Sequence, residues 1–228
     1  MNTASSRRQR GVLVFLRDLA IIILIALTLS TLVRTFLVRS FYIPSSSMEN
    51  TLQIDDRILV NQLVPNVQDL QRGDIVVFED PGGWLTPRAA STTPSPLQWF
   101  LELVGLSATD SGEHLVKRVI GLPGDTVECC SPLGKILVNG EPVDEPYLKL
   151  PSSDSPASAI DFKVTVPEGS LWVMGDNRNA SADSRYNRDK PGDGFVPIEN
   201  VVGTAFMINW PLNHFTIFNS RADLFHDK

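Results

Sequence analysis

The sequence predicts a mainly β domain carried behind a single N-terminal membrane helix, and three observations lead there. From Leu19 to Val33 no residue is charged. Beyond Ser40 the apolar residues fall into short runs of strand length. Turn-forming Gly, Pro, Asn and Asp separate those runs, and few long helical patterns interrupt them.

The membrane helix comes first in the chain. Apolar character resumes after Arg34 with Phe36, Leu37 and Val38, so residues 19–38 have the length of about 20 residues that a spanning helix needs. Arg7, Arg8, Arg10 and Arg17 precede it, offset by Asp18, whereas Arg34 and Arg39 lie close on the far side. That asymmetry favours a cytoplasmic N-terminus, with residues 1–18 inside and residues 39–228 outside. Arg34 is expected at the outer interface, its carbons in lipid and its charged head among headgroups. A cleaved secretory signal shares the basic start and the apolar centre but ends in small residues. Here Leu32, Val33, Arg34 and Phe36 follow, and the small-x-small match at Ala26 and Thr28 falls inside the apolar run. A retained anchor is therefore preferred over a signal or a buried core helix.

The outer part reads as strands over Arg57–Gln62, Asp74–Phe78, His114–Ile120, Thr126–Cys130, Lys135–Val138, Ser170–Met174 and Val201–Ile208. Arg72-Gly73-Asp74, Pro123-Gly124-Asp125 and Asn139-Gly140 supply the turns between them. Thr86 to Pro96 is rich in Pro, Ser and Thr and reads as a loop. The apolar stretch Leu97 to Leu106 after it fits a short helix on the membrane or on the domain. Pro151 to Ala159 reads as a surface loop without visible chemistry. No internal repeat is present.

Composition narrows the function classes. With 228 residues, 43% of them hydrophobic, the chain has material for a real core. A net charge of −6, with the conspicuous arginines gathered at the N-terminus, argues against nucleic acid as a partner. Cys129 and Cys130 are adjacent, which matches neither a zinc-ligand spacing nor the framework of a small disulfide-rich domain. Alternation along a strand and the 3.8 Å spacing of trans α-carbons favour one buried thiol and one near the surface over a vicinal disulfide. No metal or cofactor motif is visible.

Three blocks carry the chemistry. The first, Ile43-Pro44-Ser45-Ser46-Ser47-Met48-Glu49-Asn50-Thr51-Leu52, lies just beyond the anchor. Taken alone it reads as a solvated turn or helix cap. The second is His114-Leu115-Val116-Lys117-Arg118-Val119-Ile120-Gly121-Leu122-Pro123-Gly124-Asp125. The third is Met174-Gly175-Asp176-Asn177-Arg178-Asn179-Ala180-Ser181-Ala182-Asp183-Ser184-Arg185.

In this order behind an anchor, the three blocks resemble bacterial type I signal peptidases, and the likeness extends through Gly194-Phe195-Val196-Pro197 to Val202-Gly203-Thr204-Ala205. The resemblance implies a membrane-bound serine endopeptidase that removes signal peptides from exported preproteins at the outer face of the cytoplasmic membrane, after small residues. It implies a signal-peptidase-like β-rich catalytic domain, Ser47 as nucleophile and Lys117 as general base. It also implies Ser45 as an oxyanion donor, Ser181 as a hydrogen-bond partner that orients the lysine amine, and an ion pair of Asp183 with Arg185 that braces the third block. Signal peptides and the phospholipid bilayer are the implied partners, and no cofactor is required. The sequence departs from the family pattern at Asn50, where proline is common, and at Asn179-Ala180.

Residue physics agrees with a lysine base. On a strand, Leu115, Lys117 and Val119 share one face and His114, Val116, Arg118 and Ile120 the other. An ordinary lysine is neutral in roughly one molecule in 2,500 at pH 7, a cost of about 4.6 kcal/mol, and apolar burial reduces it. Alone, Lys117 would read as an exposed or snorkelling lysine. A serine–histidine pair is the chemical alternative. His114 is expected to face away from Lys117, His226 lies in the tail, and His214 stays open. Two wider alternatives are a self-cleaving repressor, whose DNA-binding domain is not seen, and a non-catalytic membrane-tethered β domain that binds partners. Val33 to Ser47 spans at most about 50 Å when extended, so a site built on Ser47 is expected near the bilayer surface.

Overall fold

The structure is a computed structural model and describes residues 3–85, 114–218 and 224–225. The expected loop and apolar stretch within 86–112, and His226, lie outside the described residues.

Helix α1 spans Thr3–Phe36. Its stretch Leu13–Leu32 is long and apolar enough to cross a bilayer, and none of it is buried against the domain. The stretch begins earlier than the charge-free run and takes in Arg17 and Asp18, which pair with each other at 2.8 Å. The helix ends at Phe36, so Val38 belongs to the first strand rather than to the anchor.

The strands are β1 (Val38–Tyr42), β2 (Arg57–Asn61), β3 (Ile75–Glu79), β4 (His114–Gly121), β5 (Thr126–Cys129) and β6 (Ile136–Val138). They continue with β7 (Glu141–Pro142), β8 (Phe162–Thr165), β9 (Ser170–Met174), β10 (Val196–Pro197), β11 (Val201–Trp210) and β12 (Thr216–Ile217). Each expected strand is present with ends shifted by at most two residues. The strands not expected, β1, β7, β8, β10 and β12, are short or follow directly on the anchor, where alternation has little length in which to show.

Two antiparallel sheets result. The larger runs β1-β2-β11-β3-β4-β9-β10 with β12 added to β11, and the smaller runs β7-β6-β5-β8. Strand β3 lies inside the larger sheet and is covered on both faces, which is why Ile75-Val76-Val77-Phe78 is a continuous apolar run. Ile75 and Val77 join Phe41, Ile43, Met48 and Leu52 in one core cluster. Val76 and Phe78 join Leu115, Val119 and Val173 in another. A third cluster, around Ile120, Val127, Ile136, Phe162 and Trp172, ties the small sheet to the large one.

The cysteines depart from expectation. Cys129 and Cys130 form a vicinal disulfide. Their peptide bond is cis and their α-carbons lie 3.0 Å apart, so the trans spacing used to disfavour the bond does not apply. Strand β5 also stops at Cys129, and alternation therefore says nothing about Cys130. Cys129 is buried and Cys130 half-buried.

Candidate active site

The segment 43–56 leaves β1 and returns to β2. Its neck is closed by two backbone bonds, Ile43 N–H to Asp56 O at 2.9 Å and Asp55 N–H to Ile43 O at 3.0 Å. Met48 and Leu52, both fully buried, anchor it to the core, and Leu52 N–H bonds Met48 O. Ser47 is thus held immediately before the apolar plug of Met48 and Leu52 and is itself 6% exposed.

Strand β4 brings Lys117 to it. Between β3 and β9, β4 is covered on both sides, and Lys117 lies opposite Val76 on the face shared with Leu115 and Val119. Lys117 is 4% exposed, and its amine donates to Ser47 Oγ at 2.8 Å and to the Val116 carbonyl at 2.9 Å. Burial lowers its pKa to about 8, against an opposing pull from the Asp183 and Asp176 carboxylates. At that value about one amine in ten is neutral at pH 7, a cost of about 1.4 kcal/mol instead of about 4.6.

Ser45 is exposed, with its Oγ 3.3 Å from Ser47 Oγ. The expected bond between Ser181 and the amine is not formed: Nζ bonds Ser47 Oγ and the Val116 carbonyl, and Ser181 Oγ is not among its partners. Ser181 is buried and its hydroxyl contributes to keeping Asp183 charged, although no partner meets full hydrogen-bond geometry. It packs against Gly175, where a Cβ would stand 2.5 Å from the Ser47 carbonyl oxygen. Glycine at 175 is required by that close approach.

Asp183 and Arg185 pair at 2.8 Å with both side chains fully buried. Burial alone would raise the Asp183 pKa, but the Arg185 guanidinium and the Gly175 N–H hold it below the ordinary value. The carboxylate also accepts from Gly175 N–H at 2.9 Å. The pair therefore fixes the backbone that runs beneath Ser47.

Sequence reasoning missed other supports of the loop. Asn177 N–H donates to Ser47 O at 3.0 Å, and its side chain donates to Ser46 O at 3.1 Å. Asp176 takes both arms of the buried Arg118, at 2.8 and 2.6 Å, and also accepts from Thr51 Oγ1. The Arg118 guanidinium stacks on Tyr147 at 3.9 Å. Gly-Asp-Asn reads locally as a turn, and only its contact with residues 46–51 reveals this second use. The loop Pro151–Ala159 is a further correction. Ala157 O accepts from Arg178 at 3.1 Å and Ser158 Oγ from Arg185 at 3.3 Å, so it completes the buried arginine network.

Asn50 explains one departure from the family pattern. Its φ is +96°, which the proline ring cannot adopt, and its amide donates to Tyr147 O at 3.0 Å. Neither described histidine bonds Ser47. His114 packs its ring against Phe41 at 5.1 Å between centroids, and His214 pairs with Asp56. Among the described residues no cluster of three or more His, Cys, Asp or Glu is arranged to hold a metal ion.

Known proteins resemble this chain over most of its length. The family model described as signal peptidase, peptidase S26, matches residues 16–210. A probable signal peptidase I of Mycobacterium leprae is 40% identical, over 85% of this chain and 76% of its own. Signal peptidase I of Mycobacterium tuberculosis is 39% identical, over 90% of this chain and 76% of its own. A crystal structure of a signal peptidase I from Enterococcus faecalis aligns at 31% identity with 60% of this chain and 97% of that one, at a TM-score of 0.39. A match over residues 16–210 takes in most of the apolar stretch of α1 and all three sequence blocks, and the chain belongs to the signal peptidase family, peptidase S26.

Proposed function

We propose that this peptidase cleaves N-terminal signal peptides from exported preproteins after small residues, with Ser47 as nucleophile and Lys117 as general base. The observation that carries the reading is the 2.8 Å contact between Lys117 Nζ and Ser47 Oγ, in a setting buried enough to bring the amine pKa to about 8. A neutral amine takes the Ser47 proton as Oγ attacks the scissile carbonyl, then returns that proton to the leaving amine. In the second half a water molecule, deprotonated by Lys117, attacks the acyl-enzyme and frees Ser47. Among the described residues the Ser47 N–H has no backbone acceptor. With the Ser45 hydroxyl it forms the pair of donors that meets the oxyanion.

In this reading residues 1–18 are cytoplasmic, the helix from residue 19 to residue 36 anchors the chain in the bilayer, and the chain beyond it forms the extracytoplasmic peptidase domain. The chain leaves the membrane helix at Phe36 and reaches Ser47 through β1. The nucleophile therefore stays close to the membrane plane, where the cleavage region of a signal peptide emerges. The deciding experiment is preprotein cleavage in detergent by wild type and by Ser47→Ala. Wild type is expected to release the mature protein and the folded variant to release none. Cleavage by folded Ser47→Ala overturns the assignment.

A further inference from the structure

Asp56 closes the segment that carries Ser47, and its carboxylate is almost fully buried, at 1% residue exposure. One oxygen accepts from the Gln53 N–H at 2.7 Å, and the other lies 2.9 Å from His214 Nδ1. A carboxylate only accepts, so the ring nitrogen facing it carries the proton. His214 belongs to the connection between β11 and β12, far from Asp56 in sequence. It sits at the end of a 3-10 turn, Leu212–His214, closed by its own N–H to Pro211 O at 2.9 Å. Thr216 Oγ1 donates to its carbonyl at 3.1 Å.

The register explains why the two meet. Trp210 of β11 pairs with Arg57 at the start of β2, and Ile208 pairs with Thr216 across the hairpin. The hairpin bend is thereby carried to the point where the nucleophile segment enters β2. The segment is then held from three directions. Lys117 and Asn177 hold it at Ser47, the Ile43–Asp56 backbone bonds hold its neck, and His214 holds the carboxylate that shapes residues 53–56.

From this geometry we infer that His214 is a positioning residue for the nucleophile: its bond to Asp56 fixes the 43–56 segment so that Ser47 Oγ stays within reach of Lys117. The inference rests on Ser47 being the nucleophile. His214 touches neither Ser47 nor Lys117 and acts through Asp56. His214 lines a cavity of about 900 Å³ together with Thr51, Arg118 and Phe218. The ring is thus reachable by substitution without opening the core.

The test uses the full chain in detergent, with a peptide spanning a signal-peptide cleavage region. Ser47→Ala, His214→Ala, His214→Asn and Asp56→Asn are each compared with wild type. Asparagine at 214 places an N–H near the position of Nδ1, whereas alanine places nothing there. Misplacement of a reacting group lowers turnover more than affinity, so His214→Ala is expected to lose about 10- to 100-fold in kcat with KM changed less than about threefold. His214→Asn should recover most of that loss, and Asp56→Asn should resemble His214→Ala. Thermal melting monitors folding, and kcat is normalised to folded protein. An unchanged kcat in folded His214→Ala, or equal losses in the alanine and asparagine variants, overturns the positioning role. If Ser47→Ala still cleaves, the failure lies with the nucleophile assignment and not with His214.

Discussion

The end of the large sheet that carries Ser47 and the small sheet built on β5 are held together by opposite means. Around Ser47, three ion pairs of the described residues are sealed from water: Arg118 with Asp176, Arg178 with Glu145, and Arg185 with Asp183, with side chains no more than 2% exposed. In the small sheet the ion pairs lie outside. Lys163 and Glu128 face each other across β8 and β5 with side chains 68% and 39% exposed, and the interior is apolar, around Val127, Ile136 and Phe162. Apolar packing holds strands at a distance but does not fix the rotation of a turn. Buried charges paired with directed hydrogen bonds do, provided that every group is satisfied. The difference shows where the protein needs geometry rather than stability alone.

The largest way to break the comparison is to remove the amine. Lys117→Ala should abolish preprotein cleavage while the fold persists. Lys117→Arg should also be inactive, because a guanidinium stays protonated at any usable pH. In wild type, kcat/KM should rise about tenfold per pH unit below the lysine pKa and level off above about 8. A profile that is flat from pH 6 to 9 contradicts the lysine base. The same shift makes a stability statement. Because the folded pKa lies below that of the free side chain, the unfolded chain binds more protons between about 8 and 10.5, and this site's contribution to stability rises with pH across that window.

Next in size is Asp183→Ala, which leaves the Arg185 guanidinium buried without its partner. A loss of about 3–5 kcal/mol in unfolding free energy is expected, read by denaturant melts. A loss below about 1 kcal/mol would mean that the pair contributes no more than a surface pair. Ser45→Ala should lower kcat by about 10²–10³ with a smaller change in KM, as expected for one oxyanion donor, and Ser45→Thr should retain more activity. An effect confined to KM contradicts that role. The smallest effect belongs to the other region. Lys163→Ala should change stability by less than about 1 kcal/mol and leave cleavage unchanged, because its pair with Glu128 is solvated.

The strand alternation of β4 and the spacing of its polar residues were legible because they depend on neighbours a few positions apart. That was enough to put Lys117 among apolar residues and to separate it from His114. The support around Ser47 was less legible. Gly175-Asp176-Asn177 carries a turn signal and nothing more until the turn is laid against residues 46–51. Ser181 was expected to orient the amine, but the amine's hydrogen bonds go to Ser47 and the Val116 carbonyl. The Ser/Pro-rich stretch after Pro151 looked like plain surface, because its value lies in two acceptors, Ala157 O and Ser158 Oγ, offered to arginines from another segment.

By itself the sequence determined an apolar helix with a basic start, the β character of the domain and the identity of the three blocks. Each of these is written in composition, periodicity or local spacing. Only the tertiary structure decided that Ser47 and Lys117, 70 positions apart, meet at 2.8 Å, that Asn50 turns with a positive φ, that Cys129 and Cys130 are joined, and that His214 pairs with Asp56 and not with Ser47. The physical reason is that the meetings of Ser47 with Lys117 and of His214 with Asp56 follow from the sheet order that sets β4 between β3 and β9, and β11 between β2 and β3. A local pattern determines which face a residue takes, whereas the neighbour it finds there is chosen by strands from elsewhere in the chain.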